Sequence, residues 1–304
     1  MRRILITDGM DKNAVAELKK GGYDVVEKFY ADEELGTALK DFDAVVIRSA
    51  TKVREKHIKT ALETGKLKLI IRGGVGIDNI DAKFAEQNGV SVMNTPGASA
   101  PSVAELALTH MFALARFIPD AKTTMCEGKW EKKIYNGTEI SGKTLGIVGM
   151  GRIGMELATR AKGLGMDVLY FDVRPSVDAP NIYKKVSMDE LLANSDFISL
   201  HIPLAKGSAA VIGATELGKM KKTAYIINCA RGGVVDENAL IAALDSGKIA
   251  GAGIDVYCEE PTNNINLVKH ARVSVTPHIG AQTIEAQERV GAEVIQILKK
   301  FFEK

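Results

Sequence analysis

Short apolar runs recur along the first hundred positions, and stretches with helical spacing of apolar residues lie between them. The pattern predicts strands at Arg3–Thr7, Asp24–Glu27, Ala44–Ile47, Leu69–Ile71 and Val90–Met93. It predicts helices at Asn13–Lys20, stopped by Gly21 and Gly22, and at about Glu55–Thr64. Short, continuously apolar runs separated by helices are the mark of a parallel sheet covered on both faces. The alternation breaks at Asn94-Thr95-Pro96-Gly97. A helix from about Ser102 to Arg116 follows, with Pro101 near its start, where proline is tolerated, and Pro119 ending or kinking it. After a polar connection through Gly128 and Gly137, strands and helices alternate again from about Thr144 to Val275. Ile284–Phe302 is an amphipathic helix. The fold class is α/β, with two doubly wound parallel-sheet domains. One is made of residues 1–97 and 283–304, the other of residues 98–282.

The second series opens with the most informative stretch of the chain. An apolar strand, Thr144-Leu145-Gly146-Ile147-Val148, runs into Gly149-Met150-Gly151-Arg152-Ile153-Gly154. A helical pattern follows, then the strand Val168-Leu169-Tyr170-Phe171, which ends at Asp172, 18 positions past Gly154. Strand, Gly-x-Gly-x-x-Gly, helix, strand and acid in this order are the parts of a dinucleotide-binding βαβ unit. Gly149 permits the tight turn, Gly151 lets backbone approach a pyrophosphate, and Gly154 lets helix and strand pack closely. Arg152 and Ile153 open the helix, whose free N–H groups and positive dipole end suit phosphate. Asp172 suits a ribose 2′-OH and repels a 2′-phosphate, so the expected cofactor is NAD. Arg174, two residues on, argues the other way.

Composition narrows the class further. A length of 304 residues suits two cores better than one. The net charge of +2, from 40 basic and 38 acidic residues with no charged block, gives no nucleic-acid or membrane-surface signal. No run approaches the length of a membrane span, and the N-terminal apolar run, Ile4-Leu5-Ile6, is too short for a signal peptide. Cys126, Cys229 and Cys258 form neither a disulfide framework nor a zinc motif, so no metal is expected and a reducing, cytoplasmic setting fits.

Three motifs at apparent strand ends follow the glycine loop. Tyr225-Ile226-Ile227-Asn228-Cys229-Ala230-Arg231-Gly232-Gly233 delivers an arginine able to clamp a carboxylate with two parallel hydrogen bonds. Alone, Arg231 reads equally well as a surface residue at a turn. Ala252-Gly253-Ile254-Asp255-Val256-Tyr257-Cys258-Glu259-Glu260-Pro261 ends in two acids, one of which could orient a histidine. Val273-Ser274-Val275-Thr276-Pro277-His278-Ile279-Gly280 supplies that histidine, the usual general acid/base near neutral pH.

In this order, Asn-Cys-Ala-Arg-Gly-Gly, Asp-Val-x-x-x-Glu-Pro and Pro-His-x-Gly resemble the D-isomer-specific 2-hydroxyacid dehydrogenase family over essentially the whole chain. The resemblance implies a flavodoxin-like substrate domain with an inserted Rossmann NAD-binding domain. It implies that Arg231 binds the carboxylate of a small 2-hydroxy acid, that His278 takes the C2 hydroxyl proton, and that Glu260 supports the imidazolium. It places Cys229, Ala230, Asp255 and Gly280 around the nicotinamide, and His201 and Pro203 on the adenosine side. Backbone at Gly74, Val75 and Gly76 would hold the substrate carboxylate.

Within the family the chain most resembles the members that oxidise 3-phosphoglycerate, through Arg48-Ser49-Ala50-Thr51-Lys52-Val53, Arg72–Asp81, Met93–Pro96 and Gly128–Lys133. Arg48, Ser49, Arg72, Lys132 and Lys133 are the residues this adds to the substrate site, as partners of a phosphate. Lys132 and Lys133 read as well as ordinary solvated charges. The segment around Trp130 implies a homodimer. Two departures weaken the substrate assignment: Gly97–Pro101 and Gln282 stand where such relatives carry polar residues and serine. Unphosphorylated acids (D-lactate, hydroxypyruvate or glyoxylate) are the alternative, and a dinucleotide-sensing corepressor-like protein is a further one. Because the chain stops at Lys304, just after its closing helix, no regulatory domain and no inhibition by serine are expected.

Overall fold

The computed structural model describes residues 1–303 except Lys206. The chain divides into two compact units, Met1–Ser99 with the segment from Ala281 onward, and Ala100–Gly280. These divisions lie two positions later than residue 97 and two earlier than residue 282.

The first unit holds a five-stranded sheet of β1 (Arg3–Ile6), β2 (Asp24–Glu27), β3 (Ala44–Ile47), β4 (Leu69–Arg72) and β5 (Ser91–Asn94). Its order is β2-β1-β3-β4-β5, and every pair is parallel. This is the flavodoxin-like arrangement, with its switch point between β1 and β3. β3 is buried at every position, which explains why Ala-Val-Val-Ile reads as a continuous run. One face of the sheet packs Ile4, Ile6, Val46 and Ile71 against the closing helix Ile284–Phe302, through Val290, Val294 and Leu298. That helix packs so closely on helix Lys12–Lys20 that a Cβ added at Gly291 would lie 2.5 Å from the Ala14 Cβ. The other face packs Leu5, Val45, Ile47 and Ile70 against Leu35, Leu39 and Ile58.

The second unit holds seven strands: β6 (Thr144–Val148), β7 (Asp167–Phe171), β8 (Lys184–Lys185), β9 (Phe197–Leu200), β10 (Tyr225–Asn228), β11 (Gly251–Ile254) and β12 (Val273–Val275). Their order is β12-β11-β10-β9-β6-β7-β8, again all parallel. The order reverses between β6 and β9, the place where a doubly wound sheet opens a crevice beyond its strand ends.

One expected loop is a helix. The helix Ala100–Ala115 ends before Phe117, which takes a left-handed φ of 55°, and a new helix, Ile118–Cys126, starts with Pro119 in its first turn. Proline breaks the first helix and suits the start of the second, because first-turn N–H groups lack helical partners anyway. No helix among the described residues is long and apolar enough to cross a membrane.

Candidate active site

β10, β11 and β12 are neighbours, and the three motifs leave from their carboxyl ends. Beyond β10, Asn228 ties its own turn: its side chain donates to the Arg231 carbonyl (3.0 Å) and accepts from the Ala230 N–H (3.1 Å). The Arg231 guanidinium donates to the Ala230 carbonyl at 2.6 Å. Gly232 passes so close to the next loop that an added Cβ would run into the Tyr257 carbonyl.

Beyond β11, Glu260 folds back and accepts the Tyr257 N–H at 3.1 Å through Oε1, and its Oε2 lies 2.7 Å from His278 Nδ1. A carboxylate only accepts, so His278 Nδ1 carries the proton and Nε2 is left for chemistry. Burial alone would raise the Glu260 carboxyl, but His278, the Tyr257 N–H and Arg231 together hold it below the usual carboxylate range. Glu259, the other acid, is exposed.

His278 itself has a left-handed φ of 54°, rare for a residue with a side chain. Asp255 imposes it. The Asp255 carbonyl accepts the His278 N–H (2.8 Å), while its carboxylate accepts Ile279 N–H at 2.8 Å and Gly280 N–H at 2.9 Å. Asp255 is 1% exposed, so these bonds form out of water, where they are strongest.

At the sheet's switch point, Gly149 takes a φ of 95°, and an added Cβ would meet the His201 carbonyl at 2.6 Å. Gly154 packs against the Gly149 carbonyl. Gly151 opens helix Arg152–Gly163 with open space where a side chain would go and no side-chain cap.

A family model, D-isomer specific 2-hydroxyacid dehydrogenase, NAD binding domain, matches residues 108–280. The chain belongs to that family. A hydroxypyruvate reductase of Thermotoga maritima is 45% identical over 98% of this chain and 97% of the relative. The D-3-phosphoglycerate dehydrogenase of Homo sapiens is 43% identical over 97% of this chain, which spans 55% of that longer relative. A glyoxylate reductase structure from Paecilomyes thermophila superposes with a TM-score of 0.89 at 33% identity, covering 100% of this chain and 96% of the other.

This dehydrogenase is thus an NAD-dependent oxidoreductase, and its own residues fit the cofactor. The uncapped helix and open Gly151 leave room and donors for a pyrophosphate. His201 caps β9, with Nε2 bonded to Ser199 at 2.9 Å and Nδ1 buried without a partner among the described residues. Pro203 is exposed, whereas Cys229 and Ala230 are buried.

Asp172 is engaged more heavily than its sequence position suggests. Oδ1 accepts the Arg174 N–H and Nε, each at 2.9 Å, and Oδ2 accepts Arg174 Nη2 (2.7 Å) and Met150 N–H (2.9 Å). Arg174 is the first cause that holds this carboxyl down to about 2, against the opposing cost of burial. Four donors fill the positions a carboxylate offers, so a ribose hydroxyl bound here would have to replace one of them.

The other expected site residues lie apart in sequence and in units. Arg48 follows β3 and Arg72 ends β4, on neighbouring strands where Ile47 pairs with Arg72. Arg72 folds back over Gly74, whose φ of 146° and missing side chain make the space. Arg48 lines a cavity of ≈540 Å³ with Asp8, Lys12 and Gln282, and donates to Gln282 Oε1 at 3.2 Å. Ser49 is exposed, and Val75 and Gly76 are half-buried. Lys132 and Lys133 belong to the second unit, on an exposed stretch beside Trp130.

Sequence reasoning missed two supports. Asp8, just past β1, accepts the N–H groups of Arg48 (2.7 Å) and Thr51 (3.0 Å) and so shapes the Arg48 loop. An acid directly after a predicted strand was the available signal. His110, buried in helix Ala100–Ala115, bonds to Ser274 and Thr276, just before His278 in sequence. Its sequence position carried no signal beyond an interrupted apolar run.

Proposed function

We propose that this chain oxidises D-3-phosphoglycerate to 3-phosphohydroxypyruvate. The observation that carries the hydroxyacid chemistry is the His278–Glu260 pair at 2.7 Å, with Arg231 near enough to help hold the Glu260 carboxyl down. Arg231 clamps the substrate carboxylate and orients C2. His278 Nε2 accepts the C2 hydroxyl proton, and Glu260 stabilises the resulting imidazolium across the Nδ1 bond. NAD, when bound, takes up the hydride that leaves C2. Asp255 and Gly280 border the nicotinamide end, and Asp172 and His201 the adenosine end.

The phosphate reading rests on Arg48 and Arg72 at adjacent strand ends, with the Gly74–Gly76 backbone between them and Asn79 in sequence. Lys132 and Lys133 are further phosphate partners in this reading, carried by the segment that includes Trp130. Trp130 is 79% exposed, and helix Ile118–Cys126 buries none of its residues. An exposed apolar patch of this kind suits a second copy of the chain, so the working form is a homodimer. Three scattered thiols suit the cytoplasm.

A second reading is favoured by Gln282, whose side chain engages Arg48. It keeps the mechanism and replaces the substrate with an unphosphorylated acid such as hydroxypyruvate or glyoxylate. NADH consumption with 3-phosphohydroxypyruvate, hydroxypyruvate, glyoxylate and pyruvate at equal concentration decides between them. The proposal expects the largest kcat/KM for the phosphorylated acid. A larger value for any of the others overturns it and leaves the hydride chemistry in place.

A further inference from the structure

His110 lies in the middle of helix Ala100–Ala115 and is 2% exposed. Its ring bridges two hydroxyls of the catalytic strand: Nδ1 is 2.9 Å from Ser274 Oγ, and Nε2 is 3.1 Å from Thr276 Oγ1. The Thr276 hydroxyl in turn lies 2.6 Å from Asp255 Oδ1.

The direction of every proton in this chain can be deduced. Asp255 already accepts two backbone N–H groups, which can only donate, and its carboxylate accepts from Thr276 as well. The single hydroxyl proton of Thr276 is therefore spent on Asp255. Its oxygen has to accept from His110, which puts the ring proton on Nε2. Burial lowers the His110 pKa, against a smaller opposing pull from Asp255, so the ring is neutral and Nδ1 bears no proton. Nδ1 then accepts from Ser274. The chain runs one way, Ser274 to His110 to Thr276 to Asp255.

We propose that His110 is a positioning residue for the hydride reaction. As a fixed Nε2–H tautomer it aims the Thr276 hydroxyl at Asp255. Asp255 then holds the backbone of His278, Ile279 and Gly280 in the left-handed turn that presents the imidazole. Thr276 is locked from a second side, because its carbonyl accepts the Tyr257 hydroxyl at 2.9 Å. Without His110 the threonine hydroxyl can rotate away, and the turn loses one of its anchors. A small displacement of a proton-transfer group costs far more in rate than in cofactor affinity, because Asp255 and Gly280 meet only the nicotinamide end in this reading and the pyrophosphate loop lies on other strands. This inference rests on the reading of His278 as the proton acceptor.

The test has two arms. Nitrogen-15 NMR of histidine-labelled protein, which has five histidines, reads the tautomer without reference to activity. The signals that disappear in His110→Leu should be those of a neutral ring protonated at Nε2, while the Nδ1–H ring of His278 and the rings of His57 and His270 stay; vanishing signals that report an Nδ1–H ring overturn the proposal. Kinetics form the second arm. His110→Leu and Thr276→Val should each lower kcat about tenfold, with NADH affinity changed less than about threefold. The double variant should be no worse than either single one, because both break the same chain. His110→Gln, whose amide can donate to Thr276 and accept from Ser274, should recover to within about threefold of the parent. Wild-type kcat in His110→Leu, multiplying losses in the double variant, or equal damage in His110→Leu and His110→Gln would each overturn it. Absence of turnover with every 2-oxo acid in the parent protein would instead strike the functional reading, and the NMR arm would still decide the tautomer.

Discussion

Among the described residues, His278 is the one histidine with one ring nitrogen on a carboxylate and the other not engaged by backbone, and His278→Ala removes it. The expected result is a fall in kcat of at least about 100-fold with NADH binding intact, measured by steady-state rates and fluorescence titration. Retained activity would assign the proton transfer elsewhere. Asp172 makes a different prediction. Its carboxylate neutralises Arg174, so Asp172→Ala removes a ribose acceptor and frees a guanidinium for a 2′-phosphate. The ratio of kcat/KM for NAD to that for NADP should fall, and an unchanged ratio would remove Asp172 from cofactor selection. His201 predicts a pH dependence of stability. Burial lowers its pKa from 6.5 to about 4 in the folded protein, so the unfolded chain binds the extra proton first. Its stabilising effect is complete above the unfolded value and is lost as pH falls from about 6.5 toward 4, at up to about 1.4 kcal/mol per pH unit. Urea titrations at pH 7 and pH 5 should show this loss, and His201→Asn should reduce it.

At the scale of elements, glycines that separate loops matter more than glycines that end helices. Gly232→Ala pushes a Cβ into the Tyr257 carbonyl, and Tyr257 N–H anchors Glu260. It should lower kcat and the unfolding temperature together. Gly218→Ala, in helix Ala214–Lys219 with open space around it, should be neutral or stabilising by up to about 1 kcal/mol in the same thermal scan. The sequence made the chemistry-bearing elements readable, because strand, glycine loop and acid are coded by residue type and spacing. Arg231, Glu260 and His278 could be picked out because each follows an apolar run. The helix Ile118–Cys126 was hidden because Pro119 reads as a stop and serves equally well as a start. His110 was hidden because its partners are 164 and 166 positions away, and only the sheet brings them together. The fork of Arg174 onto Asp172 was equally invisible, since spacing gives proximity and not the side-chain direction.

At the scale of the whole molecule, assembly and connectivity each have consequences. Light scattering should return the mass of two chains, twice 32.7 kDa, and Trp130→Glu with Ile134→Glu should shift it toward one. A single-chain mass for the parent protein would discard the dimer. The first unit, meanwhile, is built from segments on both sides of the second, with Val290, Val294 and Leu298 covering one face of its sheet. A ribosome delivers those residues only after the whole of the second unit. The second unit, continuous from Ala100 to Gly280, has all its strands before they emerge. Synthesis therefore reverses the written order: residues 100–280 mature first, and residues 1–99 wait, one apolar face uncovered, for helix Ile284–Phe302. Chaperone dependence should accordingly track the interval between residue 100 and residue 284, and a stalled chain ending near residue 280 should show protease resistance in its second unit only.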